Sequence, residues 1–373
     1  MGRSETGTDA ACFTCLRRSR LIESMGSYLD FKSGRLLDVL SLADAELLAL
    51  PSGELRQRVN DSYLAFRSED AVQMRCRCEA ASVTAVCRCH EAYPERLRRC
   101  EAAPAVLYVA GGLGRLTSLC QGDPVAVVGT RAATSYGIEV ARMLGRELSA
   151  GSLTVISGLA AGIDGAAHQG ALDAGGRTVA VIPGFARCAY PRAQRALHLQ
   201  ILRGGAVVSE TGPGAQVRKW MLTARNRVIA GLSALVVVVQ GAERSGAMIT
   251  VDAARRYGRA VGAVPGPVTI SQSQAPHALL AEGALLICET QDIFYGLTGT
   301  RDRSPGQLPW AGLDSSDARL VELIAGGADE ARLLGSVAGD PAGLLARLAA
   351  LELAGHVRRV EGGRYLPGRH CQP

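Results

Sequence analysis

Residues 125–168 read VAVVGTRAATSYGIEVARMLGRELSAGSLTVISGLAAGIDGAAH, and this stretch decides the fold. Val125 to Val128 is a short apolar, β-branched run that stops at Gly129-Thr130-Arg131, the pattern of a buried strand entering a polar loop. Ile138, Val140, Ala141, Leu144 and Leu148 then recur at helical spacing, with Ser135 as the expected cap and Gly151 closing the segment. Residues 154–157 predict a second buried strand, and Gly158-Leu159-Ala160-Ala161-Gly162-Ile163-Asp164 leads into a helix carrying His168. Strand, loop and helix, twice over, predict a unit whose strand ends and helix N-termini share one edge of a parallel sheet. At such an edge backbone N–H groups and helix dipoles favour an anion, usually a phosphate, and Arg131 strengthens that preference.

Working outward, the alternation continues. Strands are expected at 178–182, 206–209, 235–239 and 260–264, with helices near 193–202, around Asn226 and at 247–257. The run after Pro104, 105–109, is expected to be extended and to pair with or pack on the sheet. The predicted class is α/β, a doubly wound parallel sheet with helices on both faces. Its carboxyl edge collects Gly129-Thr130-Arg131, Gly158 to Asp164, Pro183-Gly184-Phe185, Ser209-Glu210 and Glu243-Arg244-Ser245-Gly246, with Arg225-Asn226-Arg227 brought in by a separate loop. Hydroxyls, backbone N–H groups and guanidinium forks in that number suit several phosphates in a row, and Ser245-Gly246 before a helix reads as a further anion nest. Each feature has a plainer reading: a glycine as a tight turn, Asp164 and His168 as a cap and a packed ring, Arg225 and Arg227 as a solvated helix start. Their convergence on one edge favours a ligand.

The chain has 373 residues, enough for two or three domains, and its 47% hydrophobic and 20% charged content describes a soluble globular protein. A net charge of +6 permits a polyanionic partner, and arginine supplies nearly all of the cations, since lysine occurs only at Lys32 and Lys219. No apolar run reaches the roughly 18–20 residues of a membrane span, and MGRSETGTDAACFTC lacks a signal pattern, so a cytoplasmic location is expected. Eleven cysteines, an odd number, point to reduced thiols. Cys76, Cys78, Cys87, Cys89 and His90, with Cys12 and Cys15, raise the idea of zinc, but C-x-C and C-x-C-H match the usual knuckles poorly. Val86-Cys87-Arg88-Cys89 alternates like a half-buried strand, so the cysteines are read as small hydrophobes, with no metal and no cofactor expected.

Toward the N-terminus, a short basic helix is expected near 16–22, two short helices within 36–50 and another at 55–66. They would form a small accessory helical module ending near Arg67.

The succession GTRAATSYG, SGLAAGIDGAAHQGAL, GGRTVAVIPGF with Tyr190-Pro191, VVSE, ARNRVIAGLS, SGAMIT and VPGP resembles the DNA-processing protein A (DprA/Smf) family over roughly residues 93–296. The stretch 318–366 also resembles the winged-helix domain of many members. There Leu344, Leu345, Leu348 and Leu351 are placed on one helix face, and Val357-Arg358-Arg359-Val360-Glu361-Gly362-Gly363-Arg364-Tyr365 is read as the wing. The resemblance implies an extended Rossmann-like fold that binds single-stranded DNA, forms a homodimer and helps load the RecA recombinase onto incoming strands in natural transformation. By it, Gly129, Thr130 and Arg131 fall on the phosphate-binding turn and Gly158, Gly162 and Asp164 on the second loop. Arg225, Asn226 and Arg227 fall on the Arg-Asn-Arg motif, and Ser245 and Gly246 on the Ser-Gly nest. No catalytic residue transfers, so a binding protein is implied rather than an enzyme.

This chain departs from the family pattern at Leu222-Thr223, where Phe-Pro is usual; Lys219 and Trp220 just upstream are the expected substitutes for the missing stacking platform. Gln240 stands where glutamate is common, and His277 and Ala281 replace asparagine and arginine. The organisation expected is an N-terminal helical region at 1–90, a Rossmann-like core at 91–297, a linker at 298–315 and a winged helix at 316–373. Two other classes of function stay open. A nucleotide enzyme of phosphoribohydrolase type would need Pro-Gly-Gly-x-Gly-Thr, whereas Pro183-Gly184 is followed by Phe185-Ala186. The dinucleotide G-x-G-x-x-G and Walker signatures are absent too. A protein–protein adaptor with a vestigial site is the other.

Overall fold

A computed structural model describes residues 10–299, 313–325, 328, 330–336, 340–359 and 365–367. Residues 1–300 and 301–373 form two compact units, described separately below.

The larger unit is built on a nine-stranded sheet. Its strands are β1 (Val83–Cys87), β2 (Val106–Ala110), β3 (Val125–Val128), β4 (Val155–Ser157), β5 (Thr178–Val181), β6 (Ala206–Ser209), β7 (Leu235–Val238), β8 (Ala260–Ala263) and β9 (Leu285–Leu286). In space the order is β1-β2-β6-β5-β4-β3-β7-β8-β9. The seven strands from β6 to β9 run parallel, while β2 joins β6 antiparallel, with Tyr108 opposite Ser209, and β1 joins β2 antiparallel. The expected strands are all present: β3 and β6 match the reading, β2 is shifted by one residue, β4 starts one residue later, and β5, β7 and β8 end one residue earlier, where the chain turns into the edge loop.

Alternation along the strands explains the two covered faces. Ala126, Val128, Val236 and Val238 pack with Val228, Ile229 and Val251 in one core, whereas Val125, Val127, Leu235 and Val237 pack with Ala141, Leu144, Leu148 and Ala167 in another. The chain lays down β3, β4, β5 and β6 in one direction, then returns to place β7 against the other side of β3. The sheet's topological switch point therefore lies between β3 and β7, where open α/β sheets hold ligands.

Fifteen α-helices among the described residues of the larger unit surround this sheet. Six precede it: α1 (Phe13–Ser24), α2 (Gly26–Phe31), α3 (Leu36–Ser41), α4 (Asp44–Ala49), α5 (Gly53–Ala65) and α6 (Ser68–Ala80). Next come α7 (Glu95–Arg98), α8 (Leu113–Leu119), α9 (Ser135–Ala150), α10 (Ile163–Asp173) and α11 (Arg195–Gly204). The last four are α12 (Lys219–Leu232), α13 (Gly246–Arg256), α14 (Gln274–Ala281) and α15 (Thr290–Thr298). The cap of α9 is Thr134 rather than Ser135: its hydroxyl accepts from the Gly137 N–H at 3.3 Å, and Ser135 is already helical.

The N-terminal helices are not an appendage. Leu21, Met25, Leu29, Leu36, Leu40 and Leu47 share a core with Trp220, Met221 and Ala224 of α12. Asp30 accepts from the Trp220 backbone N–H at 2.9 Å, placing a carboxylate at the positive end of α12. β1, inside the stretch read as a separate helical region, is an edge strand of the main sheet. Cys76 and Cys78 lie on α6, and His90 Nδ1 accepts from the Ala92 N–H at 3.1 Å; Cys87 and Cys89 instead meet Cys12 and Cys15.

The smaller unit contains α16 (Ser315–Ala325), α17 (Glu330–Ser336), α18 (Pro341–Leu353) and an antiparallel pair, β10 (Val357–Arg359) and β11 (Tyr365–Pro367). Leu320, Val321, Ile324, Leu344, Leu348, Leu351 and Val357 form its core. Leu345 does not share the buried face and is 62% exposed, because Leu344, Leu348 and Leu351 already occupy the i, i+4, i+7 stripe. The wing residues Val360 to Arg364 and most of the linker, 300–312, lie outside the described residues. Among the described residues no helix is long and apolar enough to cross a membrane.

Candidate nucleic-acid interface

A cleft of about 480 Å³ opens at the β3/β7 switch point. Gly129, Thr130, Arg131 and Ala132 from the loop after β3 form one wall, and Ala242, Ser245 and Gly246 from the loop after β7 form another. Leu222, Thr223, Arg225 and Asn226 of α12 complete it together with Ala160 and Asp164. The structure thus gathers residues from four of the six stretches read as collecting at this edge, while Pro183-Gly184-Phe185 and Ser209-Glu210 do not line the cleft. Arg131 and Gly246 are exposed, and Thr130 is half-buried.

The loop after β3 is held by a residue whose role sequence reasoning missed. Gln240 is buried, and its backbone carbonyl accepts from the Thr130 N–H at 2.7 Å. Its side-chain Oε1 accepts from the Thr134 N–H at 3.0 Å, and its Nε2 donates to Thr134 Oγ1 at 2.9 Å. This neutral amide both accepts and donates, which a carboxylate at the same place could not do. Its position just past an apolar strand was the available signal.

Several loop glycines stand in close approach, and a Cβ on Gly129 would meet the Gln240 carbonyl at 2.6 Å. A Cβ on Gly158 would stand 2.7 Å from the Arg225 guanidinium and 2.8 Å from Asp164 Oδ2. Gly162 has φ +77°, and a Cβ there would meet the Thr130 carbonyl at 2.4 Å. Asp164 is buried beneath this loop and accepts from the Ala160 N–H at 3.4 Å, with the Gly129 and Gly158 amides also directed at it. Burial pushes its carboxyl up, while Arg225, 3.9 Å away, pulls it back.

Arg225 departs from its expected setting. It belongs to the body of α12, not to a loop or a solvated helix start, and it is 7% exposed. Its Nη1 donates to the Gly158 carbonyl and, at 3.1 Å, to Val181 O. Burial works against its charge and Asp164 supports it. One guanidinium thus braces the second loop and β5 while forming part of the cleft wall. Its Nε, like Ser245 Oγ on the opposite wall, is buried without a partner among the described residues.

Arg227 is a correction. It lies on another side of α12, is 1% exposed, and donates to Glu210 with Nη1 at 2.9 Å and Nη2 at 2.5 Å. Its remaining donors reach Ala102 O at 2.9 Å and Ala224 O at 2.8 Å. Two positions along a helix turn about 200° around its axis, so Arg225 and Arg227 face opposite sides of α12 and do not share the cleft. Trp220 is a second correction: at 1% exposure its indole fills the core beneath the N-terminal helices and cannot act as a stacking platform. Lys219 is exposed but lines a neighbouring cavity with Arg35, Asp38 and Arg256, not the cleft. Asn226 remains at the cleft, its Nδ2 donating to Gly246 O at 3.3 Å and tying α12 to the start of α13.

His168 points away from the site. Thr178 Oγ1 donates its proton to Val155 O at 2.9 Å, so the imidazole must donate from Nδ1 to that hydroxyl, 2.7 Å away. Burial holds its pKa down at about 3, so the ring is neutral.

Residues 84–298 match the family profile of DNA recombination-mediator protein A. The chain is 34% identical over 339 residues to the protein Smf of Escherichia coli, covering 88% of each. Its fold is similar to the crystal structure of DNA processing protein A from Streptococcus pneumoniae, with a TM-score of 0.59, 31% identity, and coverage of 74% of this chain and 95% of that one. It is also similar to DNA processing protein A from Helicobacter pylori, described for its single-stranded DNA binding mode, with a TM-score of 0.51, 26% identity, and coverage of 58% and 95% respectively. The profile covers more than half of the chain and the relatives span its sheet, so the chain belongs to the DNA recombination-mediator protein A family.

Proposed function

We propose that this protein binds single-stranded DNA through its phosphates at the β3/β7 cleft, as a homodimer, and passes the strand to a RecA-type recombinase. The observation that carries the reading is the donor set at the switch point. The exposed Arg131, the Thr130 hydroxyl, Asn226 and the start of α13 at Ser245-Gly246 face a common opening whose walls hold two unpartnered polar atoms. The Helicobacter pylori neighbour's described binding of single-stranded DNA supports the ligand class, and the family's recombination-mediator name supports the partner. The working residues are Gly129, Thr130, Arg131, Gly158, Gly162, Asp164, Arg225, Asn226, Ser245 and Gly246. The role is binding without catalysis: Asp164 is committed to Arg225 and backbone amides, and His168 to Thr178. The three helices and the antiparallel strand pair among the described residues of 313–367 fit a winged helix. The protein acts in the cytoplasm on DNA entering the cell.

The test is anisotropy of a labelled single-stranded oligonucleotide at several salt concentrations, with duplex DNA and a nucleoside monophosphate as competitors. Salt-sensitive binding that neither competitor displaces is expected. Displacement by the monophosphate would instead favour a nucleotide enzyme, and no binding at low salt an adaptor.

A further inference from the structure

Away from the cleft, one cluster of reactive side chains is not used by the proposed function. Cys12 immediately precedes α1 and Cys15 lies in its first turn, while Cys87 ends β1 and Cys89 follows in a turn closed by the His90 N–H on Cys87 O at 2.9 Å. The partners are 74 and 75 residues apart in the chain, yet all four sulfur atoms lie within 4.8 Å of one another.

We propose that Cys12, Cys15, Cys87 and Cys89 form a tetrathiolate zinc site that fastens α1 to the outer edge of the sheet.

Three features support it. First, the spacing fits a single ion: four sulfurs around zinc at about 2.3 Å stand about 3.8 Å from each other, and Cys15 Sγ is 3.7 Å from Cys89 Sγ. A disulfide would need about 2.05 Å, and a cluster with a sulfide core places its cysteines on separate irons, farther apart. Second, the surroundings suit thiolates. The Cys12 N–H is directed at Cys87 Sγ at 3.5 Å, Cys12 and Cys15 sit at the positive end of the twelve-residue α1, and Arg88 lies between the second pair. Arg75, donating to Ala11 O at 3.1 Å, brings a further cation to the same corner. Third, reading the cysteines as small hydrophobes fails here, since Cys12 and Cys89 are exposed. The awkward C-x-C spacing is resolved by the turn after β1, which aims both sulfurs at one point.

Binding replaces the thiol protons with zinc and releases them. It also closes a long loop between α1 and β1, removing chain entropy from the unfolded state. The inference is independent of the DNA-binding proposal.

The full chain, purified under reducing conditions from zinc-supplemented cells, should carry one zinc per molecule, released by a mercurial and measured by a colorimetric chelator. Zinc content should fall to near zero in Cys15→Ser and Cys89→Ser and stay at one in Cys76→Ser and Cys188→Ser. The metal-free wild-type chain should take up one Co2+ with the charge-transfer and visible bands of tetrahedral thiolate coordination, a readout that needs no variant to fold. Zinc removal should lower the melting temperature and open α1 to proteolysis. Wild-type protein lacking zinc and failing to take up Co2+, or carrying iron instead, would overturn the proposal.

Discussion

At the scale of single residues, burial separates three arginines that the sequence presents alike. Arg131 is exposed at the cleft mouth, so Arg131→Ala should weaken single-stranded DNA binding for all sequences and reduce the salt slope by about one, with stability unchanged within about 0.5 kcal/mol. Arg225→Ala should do more than weaken binding. It strands Asp164 and two carbonyls, and a loss of about 3 kcal/mol in urea unfolding is expected. Arg227→Ala should cost about 3–5 kcal/mol by isolating Glu210, while the fraction that stays folded binds DNA normally. Equal stability losses for all three would contradict this partition. His168 makes a pH prediction. Its folded pKa of about 3 lies below the ordinary 6.5, so as pH falls below 6.5 the unfolded chain takes up a proton that the native ring refuses. Its effect is to lower stability by up to about 1.4 kcal/mol per pH unit down to about 3, and it has no effect above 6.5. Asp164, raised by burial, acts in the opposite sense, so the measurement is the difference in urea midpoint against pH between wild type and His168→Gln. Parallel curves would refute the assignment.

At the scale of elements, the cleft depends on two loops interlocked through backbone. The loop after β3 hangs on Gln240, and the loop after β4 passes so close that Gly162 lies against Thr130 O. Gly162→Ala meets both an unfavourable φ, worth about 1 kcal/mol, and a backbone clash that no rotamer relieves. It should lower stability and abolish DNA binding together, seen as coincident losses in thermal unfolding and anisotropy. Gly246→Ala, where an added Cβ meets nothing within 4 Å, should leave folding intact. Loss of folding in Gly246→Ala, or normal binding in Gly162→Ala, would show that the loops are not fixed as described. Element positions were legible because the β-branched runs and 3.6-residue stripes are strong local signals. Which side of α12 faced which neighbour was not, because ARNRVIAG is apolar or charged in every direction.

At the scale of the whole molecule, residues 1–300 form one compact unit, so a chain ending at Thr298 should fold and retain single-stranded DNA affinity within about threefold, a difference under about 0.7 kcal/mol. A large loss would assign part of the binding to residues 301–373. The sequence by itself determined the α/β class, the strand order along the chain and the glycine-, hydroxyl- and arginine-rich edge, since these follow from local periodicity and turn chemistry. The tertiary structure alone decided which charges are satisfied and which reach solvent. Arg227 finds Glu210 and Trp220 finds the N-terminal helices, while Cys12 and Cys15 find Cys87 and Cys89 across more than seventy residues. Such pairings cost loop-closure entropy and are fixed by the packing of the entire chain, so no local pattern records them.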